Sequence, residues 1–341
     1  MGKRTTLKDL AKELNTSVTT VSKALKDYPD ISDKMKIAVR ELAEKMNYQP
    51  DLRALALRKS KSYTIGVIIP EIVSYFFSNV VDGIMNYAEK HGYRIVITIS
   101  NNKLSLEKKH VNLLYNAKVD GVIVSLANET DDPDHFNILT EHEIPIVMFD
   151  KVNNAFNCNK VKIDDHQSAY LATEHLIKKG CKHIAHIRGP EHPQNARARF
   201  EGYLSALRDN NIPYEPVLVK ECKDVTLEEG YTFTKELFSG DNLKPDGIFA
   251  VTDQVGVGAV QAAHDLGISI PDDLKIVGFS DSQIAQIITP KLSTIHQPNY
   301  KLGETAVQIL LNEIAIREKG LGVVDYQKII LSTHLVERES T

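Results

Sequence analysis

The 341-residue chain has no tryptophan and only three cysteines, Cys158, Cys181 and Cys222, far apart and odd in number. With no Cys-x-x-Cys pair, they fit free thiols in a reducing compartment better than a disulfide framework or a zinc site. His183 and His186 lie near Cys181, but their spacing in a strand-like run puts them on opposite faces, so no metal site is expected. No apolar run approaches the roughly twenty residues that a membrane-spanning helix needs. The opening Met1-Gly2-Lys3-Arg4-Thr5-Thr6 lacks the apolar core of a signal peptide, which makes a cytoplasmic protein the expectation. Catalytic signatures are missing as well: there is no Gly-x-Ser-x-Gly, His-Glu-x-x-His, Walker loop or Gly-x-Gly-x-x-Gly. Neither an enzyme nor a bound cofactor is expected.

The charge is unevenly distributed. Residues 1–62 hold 14 Lys and Arg against 8 Asp and Glu, a surplus of +6 in a chain whose net charge is -4. A basic head on an acidic body points to a polyanionic partner for the head, though lysine-rich ends also arise for solubility alone. Within the head, Leu7, Leu10, Ala11 and Leu14 recur at helical spacing behind a capping Thr6. Asn15-Thr16 breaks the pattern, and Ser17 caps a second helix running to about Leu25. There the inward Val21, Ala24 and Leu25 leave Val18, Thr19, Ser22 and Lys23 outward. A third helix follows Ser32, with Met35, Val39, Leu42 and Met46 as its apolar stripe. Three short helices with so tight a first turn predict a helix-turn-helix bundle over residues 1–49. The second helix of such a bundle fits the major groove of double-stranded DNA. Val18 can meet a thymine methyl, Thr19 can hydrogen-bond a base edge, and Lys23 can donate to guanine. A helical hairpin that binds protein is the competing reading.

From residue 63 apolar strands alternate with amphipathic helices, which predicts an α/β body with parallel sheets. Expected strands are Tyr63–Ile69, Tyr93–Ile99, Gly121–Ser125 and Pro145–Phe149, then His183–Ile187, Val217–Val219, Gly247–Val251 and Lys275–Phe279. The two series repeat each other. Asp82-Gly83 answers Glu201-Gly202, Val119-Asp120-Gly121 answers Pro245-Asp246-Gly247, and Ile146-Val-Met-Phe-Asp150 answers Ile276-Val-Gly-Phe-Ser-Asp281. Two related lobes follow, lobe 1 at about 63–163 and 294–324, lobe 2 at about 164–293 and 325–341. Ligands of open parallel sheets sit beyond the carboxyl ends of the strands, so Asp150 and Asp281 should both face a crevice between the lobes. Phe76 and Phe77 follow the first strand of lobe 1, and Asn195 and Arg199 that of lobe 2. Carboxylates, an arginine and aromatic faces suit a polyhydroxylated ligand. Each also has a structural alternative: core packing for the phenylalanines, helix capping for Asp150, and an ion pair with Glu201 or Asp281 for Arg199.

Thr6-Leu-Lys-Asp-Leu-Ala, Ser17-Val-Thr-Thr-Val-Ser-Lys-Ala-Leu, Ile31-Ser and Asn47-Tyr48-Gln49-Pro50 recur here in the order and spacing of the lactose/galactose repressor (LacI/GalR) family, which the chain resembles over essentially its whole length. The resemblance implies a DNA-binding transcriptional regulator, in most cases a repressor, with the helix-turn-helix head joined to a two-lobed body like that of periplasmic binding proteins. It implies DNA contacts at Thr6, Ser17, Val18, Thr19, Thr20, Ser22, Lys23, Asn47 and Tyr48. Residues 50–62 match the hinge helix, which folds when two subunits meet on the operator, with Arg53, Ala54, Leu57 and Arg58 at the minor groove and Leu57 as the wedge between base pairs. Effector contacts are implied at Phe76, Phe77, Asp150, Asn195, Arg199, Val225, Thr252 and Asp281, of which Asp281 and Arg199 stand out. The effector expected is a sugar or sugar phosphate, acting allosterically on a homodimer. Asp51, Leu55, Lys23 and Thr252 depart from the residues usual at their positions, leaving the minor-groove contacts, base readout and ligand identity open. The absence of a leucine-heptad tail favours a dimer over a tetramer. Two other readings share parts of this pattern: an exported sugar receptor, which requires a signal peptide, and an architectural DNA binder, which requires no ligand cavity.

Overall fold

The structure, a computed structural model, describes residues 5–48, 61–240, 243–320 and 325–341. It divides into two compact units, Met1–Ser62 and Tyr63–Thr341.

The head contains α1 (Leu7–Glu13), α2 (Val18–Leu25) and α3 (Asp33–Lys45). All three starts are set by side chains that satisfy backbone N–H groups lacking an intrahelical partner. Thr6 and Asp9 form a reciprocal capping box on α1, Ser17 accepts from the Thr20 amide, and Ser32 accepts from the Met35 amide. Leu10, Ala11, Val21, Ala24, Val39 and Ala43 form the buried centre, ringed by Leu7, Leu14, Leu25, Met35, Leu42 and Met46. The expected hinge, with Arg53, Ala54, Leu57 and Arg58, lies outside the described residues.

In the body, one sheet has the order β11-β5-β4-β3-β1-β2 and the other β12-β10-β9-β8-β6-β7. The first comprises β1 (Thr64–Ile69), β2 (Arg94–Ile99), β3 (Gly121–Val124), β4 (Ile146–Phe149), β5 (Asn159–Ile163) and β11 (Lys328–Leu331). The second comprises β6 (Ile184–Arg188), β7 (Val219–Glu221), β8 (Gly247–Ala250), β9 (Lys275–Ser280), β10 (Ser293–His296) and β12 (His334–Val336). The orders are the same once β1–β5 are matched to β6–β10, so the repeat in sequence is a repeat in topology. All pairings are parallel except β10 with β12.

Two expectations need correction. The lobe boundary placed residue 294 in lobe 1 and 325–341 in lobe 2, yet β10 belongs to the second sheet and β11 to the first. The chain therefore crosses between lobes after β5, after β10 and again between β11 and β12. The strand expected at Val217–Val219 is instead a short 3-10 turn at Pro216–Leu218, followed by β7. Pro216 at the turn's first position fixes φ and removes a strand donor.

The main helices that pack on these sheets are α4 (Tyr75–Lys90), α5 (Leu104–Asn116) and α12 (Asn299–Glu318) in lobe 1, which also has the short α6 (Asn137–Glu141). Lobe 2 has α7 (Asp165–Lys178), α8 (Gln194–Asp209), α9 (Leu227–Leu237), α10 (Asp253–Asp265) and the short α11 (Gln283–Ile287). The repeated glycines mark close helix crossings. A Cβ on Gly83 would lie 2.2 Å from the Tyr300 carbonyl oxygen of α12, and one on Gly202 2.2 Å from the His166 carbonyl oxygen of α7. Both contacts are with backbone, so neither helix can give way without moving as a whole.

Candidate effector cavity and DNA-reading face

On the head, Val18 and Thr19 are exposed and Thr20, Ser22 and Lys23 half-buried, while Val21 and Ala24 are buried beneath them. The hydroxyls of Thr6 and Ser17 are engaged in capping, and Ser17 Oγ also lies 2.8 Å from Thr20 Oγ1. Lys23 is ion-paired with Asp30 in the loop between α2 and α3, and this pair holds the Asp30 carboxyl below its usual range. Asn47 is exposed in a left-handed conformation just past α3, and Tyr48 packs against the head's core.

In the body, a cavity of about 420 Å³ lies between the two lobes. Its wall is assembled from the loops at the carboxyl ends of matching strands. Glu71 and Val73 to Phe77 follow β1, Asn102 follows β2, Asn128 follows β3, and Asp150 and Lys151 follow β4. From lobe 2, Gly189, Pro190, Pro193, Asn195, Ala196 and Arg199 follow β6, Asp224 and Val225 follow β7, Val251 to Gln254 follow β8, and Ser280 and Ser282 stand at the end of β9. This is the crevice that parallel-sheet topology predicts.

Seven of the eight expected effector residues line it: Phe76, Phe77, Asp150, Asn195, Arg199, Val225 and Thr252. Phe77 is buried and packs edge-on against both Phe76 and Phe149, so it is core and wall at once, while Phe76 is half-buried at the surface of the cavity. Thr252 caps α10, accepting from the Val255 amide. Val225 holds φ at 58°, a left-handed conformation unusual for a β-branched side chain. Its loop is clamped by the Glu229 carboxylate, which accepts amides from Lys223, Asp224 and Thr226.

The eighth residue is Asp281. It does not line the cavity: its carboxylate is ion-paired with Arg338 at 2.5 Å and bonded to His296 Nδ1 at 2.9 Å. Partial burial alone would raise its pKa, but those two partners more than offset this and hold it below the usual carboxylate range. The lobe-2 acids in the wall are Asp224 and Asp253, and the oxygens of Asp253 accept from the Ser282 amide at 2.6 Å and the Thr294 hydroxyl at 2.5 Å.

Asp150 and Arg199 dominate the interior electrostatics. Burial pushes the Asp150 carboxyl up in pKa, against the pull of the Arg199 and Lys151 charges and a 3.2 Å hydrogen bond donated by Asn195 across the cleft. Arg199 is buried. Its Nε donates to Asp165 at 2.9 Å, its Nη1 donates to the Val251 carbonyl at 3.0 Å, and its guanidinium lies 3.7 Å over the Phe279 ring. Its structural partner is thus Asp165, not Glu201 or Asp281. Burial raises Asp165 to about 6 despite that pairing. Lys151 donates to Asn102 at 3.0 Å and Asn128 at 2.5 Å, and desolvation lowers its pKa. Lys151, Asn102, Asn128 and Gln297 are wall residues that pattern reading missed. The first three follow strand ends already marked as strands, which was the available signal. His186 is buried, stacked on Phe249, and donates through Nδ1 to the Phe249 carbonyl at 2.9 Å.

Among the described residues, no group of three His, Cys, Asp or Glu could hold a metal ion, and no helix is long and apolar enough to cross a membrane. The family model described as bacterial regulatory proteins, lacI family, matches residues 6–51, and that of a periplasmic binding protein-like domain matches residues 173–341. The chain is 34% identical to the ribose operon repressor of Halalkalibacterium halodurans, over 99% of this chain and 97% of that one. The lac repressor dimer solved with operator and an anti-inducer superposes with a TM-score of 0.88 at 26% identity, covering 99% of both chains. A LacI family transcriptional regulator from Enterococcus faecium with bound ribose gives 0.71 at 30% identity, over 82% of this chain and 98% of that one. The chain belongs to the lacI family of bacterial regulatory proteins, which are DNA-binding transcriptional regulators and not enzymes.

Proposed function

We propose that the chain is a cytoplasmic repressor, residing on the nucleoid when bound, that grips a near-palindromic operator as a homodimer and is switched by a sugar or sugar phosphate in the inter-lobe cavity. One observation carries the effector half of this reading: Asp150 of lobe 1 and Asn195 of lobe 2 meet at 3.2 Å in the cavity wall. A ligand hydroxyl bonding to either must compete with or bridge that contact, so occupancy changes the relation of the lobes. The DNA half is supported by the outward face of α2, with Val18, Thr19, Ser22 and Lys23, on a unit of positive charge. Asn47, Tyr48 and the hinge residues Arg53, Ala54, Leu57 and Arg58 are the further contacts proposed. Each head takes one half-site, and two-fold protein symmetry matches the symmetry of the operator. Coupling between effector and operator of about 1–3 kcal/mol is expected, and it must be reciprocal.

Operator selection with the purified protein, followed by titration of the selected duplex with and without a panel of sugars, sugar phosphates and purine bases, tests both halves. A salt-sensitive preference for one palindrome, shifted roughly 5- to 150-fold by a panel member, is the expected result. No preference over random duplex removes the DNA half. Operator affinity that no panel member changes removes the effector half.

A further inference from the structure

Building on the proposed effector site, we infer that its ligand is an uncharged polyhydroxylated molecule and that the cavity rejects phosphorylated sugars. The cavity's cations are already committed. Lys151 is held by two asparagine oxygens, and the Arg199 Nε and Nη1 are bonded to Asp165 and Val251 while its face covers Phe279. Against these two cations stand three interior carboxylates: Asp150 and Asp253 in the wall, and Asp165 directly behind Arg199. Lys162 reaches Asp150 and Asp165 electrostatically, but it does not line the cavity. The interior thus has no cation in excess. The remaining charged residues of the wall are Glu71, half-buried, and Asp224, exposed, so what an incoming ligand meets on the solvent side is negative.

At each helix N-terminus in the wall, the usual alternative anion site, a side chain already takes one amide. Ser74 accepts the Phe77 amide at the start of α4, Asn195 Oδ1 accepts the Ala196 amide at the start of α8, and Thr252 accepts the Val255 amide at the start of α10. That last helix also begins with the Asp253 carboxylate. A phosphate ester brings a charge of about −1.5 to −2 at pH 7 and needs a cation to balance it. Here it would find none that a carboxylate does not already answer. Hydroxyls carry no such requirement: they can donate to Asp150 and accept from Asn195, Lys151 or the Arg199 fork. Two buried wall atoms without a hydrogen-bond partner, Gln297 Oε1 and Ser282 Oγ, add an acceptor and a hydroxyl. The half-buried Phe76 offers an apolar face for the ring.

Calorimetric titration of the full chain with D-ribose, D-glucose and D-galactose, each beside its terminal phosphate ester, tests the inference. At least one parent sugar should bind, and its ester should bind on the order of 100-fold more weakly at low salt, as expected for a dianion facing fixed carboxylates at partial screening. The double variant Glu71→Gln/Asp224→Asn should narrow the parent-to-ester ratio roughly tenfold, and an unchanged ratio counts against the inference. An ester that binds as well as or better than its parent overturns the inference and leaves a sugar-type effector standing. Binding of neither parent nor ester, with operator binding intact, overturns the sugar effector itself and the inference with it.

Discussion

The two lobes share one strand order, yet the aspartates at the ends of their matching strands have opposite fates. Asp150 follows β4 at φ 54° and Asp281 follows β9 at φ 52°, so the repeat preserves even the left-handed turn. Asp150 is in the cavity, answered by Asn195 from the other lobe. Asp281 is turned to a partner that lobe 1 has no counterpart for: Arg338, on the segment after β12 that packs along the second sheet. Sequence repetition fixes backbone equivalence, because strand and turn are local. Side-chain partnership depends on whatever else the chain lays beside each lobe, and here an unrepeated tail captured one of the two carboxylates.

The sharpest way to break this comparison is at the residue that serves both roles. Arg199 is simultaneously cavity wall and structural cation, and Arg199→Met leaves Asp165 buried without its guanidinium. Removal of one partner from a buried pair costs about 3–5 kcal/mol, which thermal or urea unfolding of the body would read directly. Retention of full stability would mean that Asp165 is held neutral and the pair carries no weight. A smaller and more discriminating effect comes from the two aspartates themselves. Asp150→Asn should weaken effector binding by about 100-fold, the scale of a hydrogen bond to a charged group, with little change in stability. Asp281→Asn should leave effector affinity within about threefold but lower stability by roughly 1–2 kcal/mol, since Arg338 and His296 lose their anion. The opposite assignment of those two effects would restore Asp281 as a ligand contact.

Lobe 2 also carries a pH dependence set by a buried histidine. Burial pushes His186 down to about 3, whereas the free side chain titrates near 6.5. Below 6.5 the unfolded chain therefore binds a proton that the folded body refuses, and stability is lost as pH falls through that window. At pH 5 the loss from this group is about 2 kcal/mol. Asp165 acts in the opposite sense: raised to about 6, it holds its proton in the folded state between roughly pH 4 and 6, where the unfolded carboxyl has released its own. The His186→Phe variant isolates the first effect, and its stability should fall by about 2 kcal/mol less than that of the parent between pH 7 and pH 5. Equal losses in the two proteins would show that the imidazole is charged in the folded state.

What could be read from the sequence divides along the same line between local and distant. The caps at Thr6, Ser17 and Ser32, the spacing of Leu10, Val21 and Val39, and the repeated strand motifs were legible because each is decided within a few residues. The strands β5 and β11 were not: Asn159–Ile163 and Lys328–Leu331 mix lysine with β-branched residues, and β5 becomes a strand between β4 and β11, with β11 reaching it across the length of the body. The same distance hid the three crossovers and displaced the lobe boundary. Seven expected effector residues came together at the cavity because strand ends fix them. Lys151 was missed although it adjoins Asp150, since nothing local shows that Asn102 and Asn128 will draw its ammonium to the wall.

The head and body differ in how their cations are spent, and the smallest effect tests that difference. In the body, Arg199 is locked by burial. In the head, Lys23 on the outward face of α2 is tied to Asp30 while half-exposed to water. An exposed pair of this kind contributes little to folding, because solvent screens it and two flexible side chains must be ordered to make it. Its consequence lies in binding, since Lys23 must leave Asp30 before it can reach a base edge or phosphate. Asp30→Asn should therefore leave the thermal unfolding of the head unchanged and tighten operator binding by roughly threefold at low salt. That gain should fade as salt rises, because the carboxylate removed is a repulsive charge near the duplex as well as a competitor for the lysine. Affinity unchanged at every salt concentration would place Lys23 off the DNA and leave readout to Val18, Thr19 and Ser22.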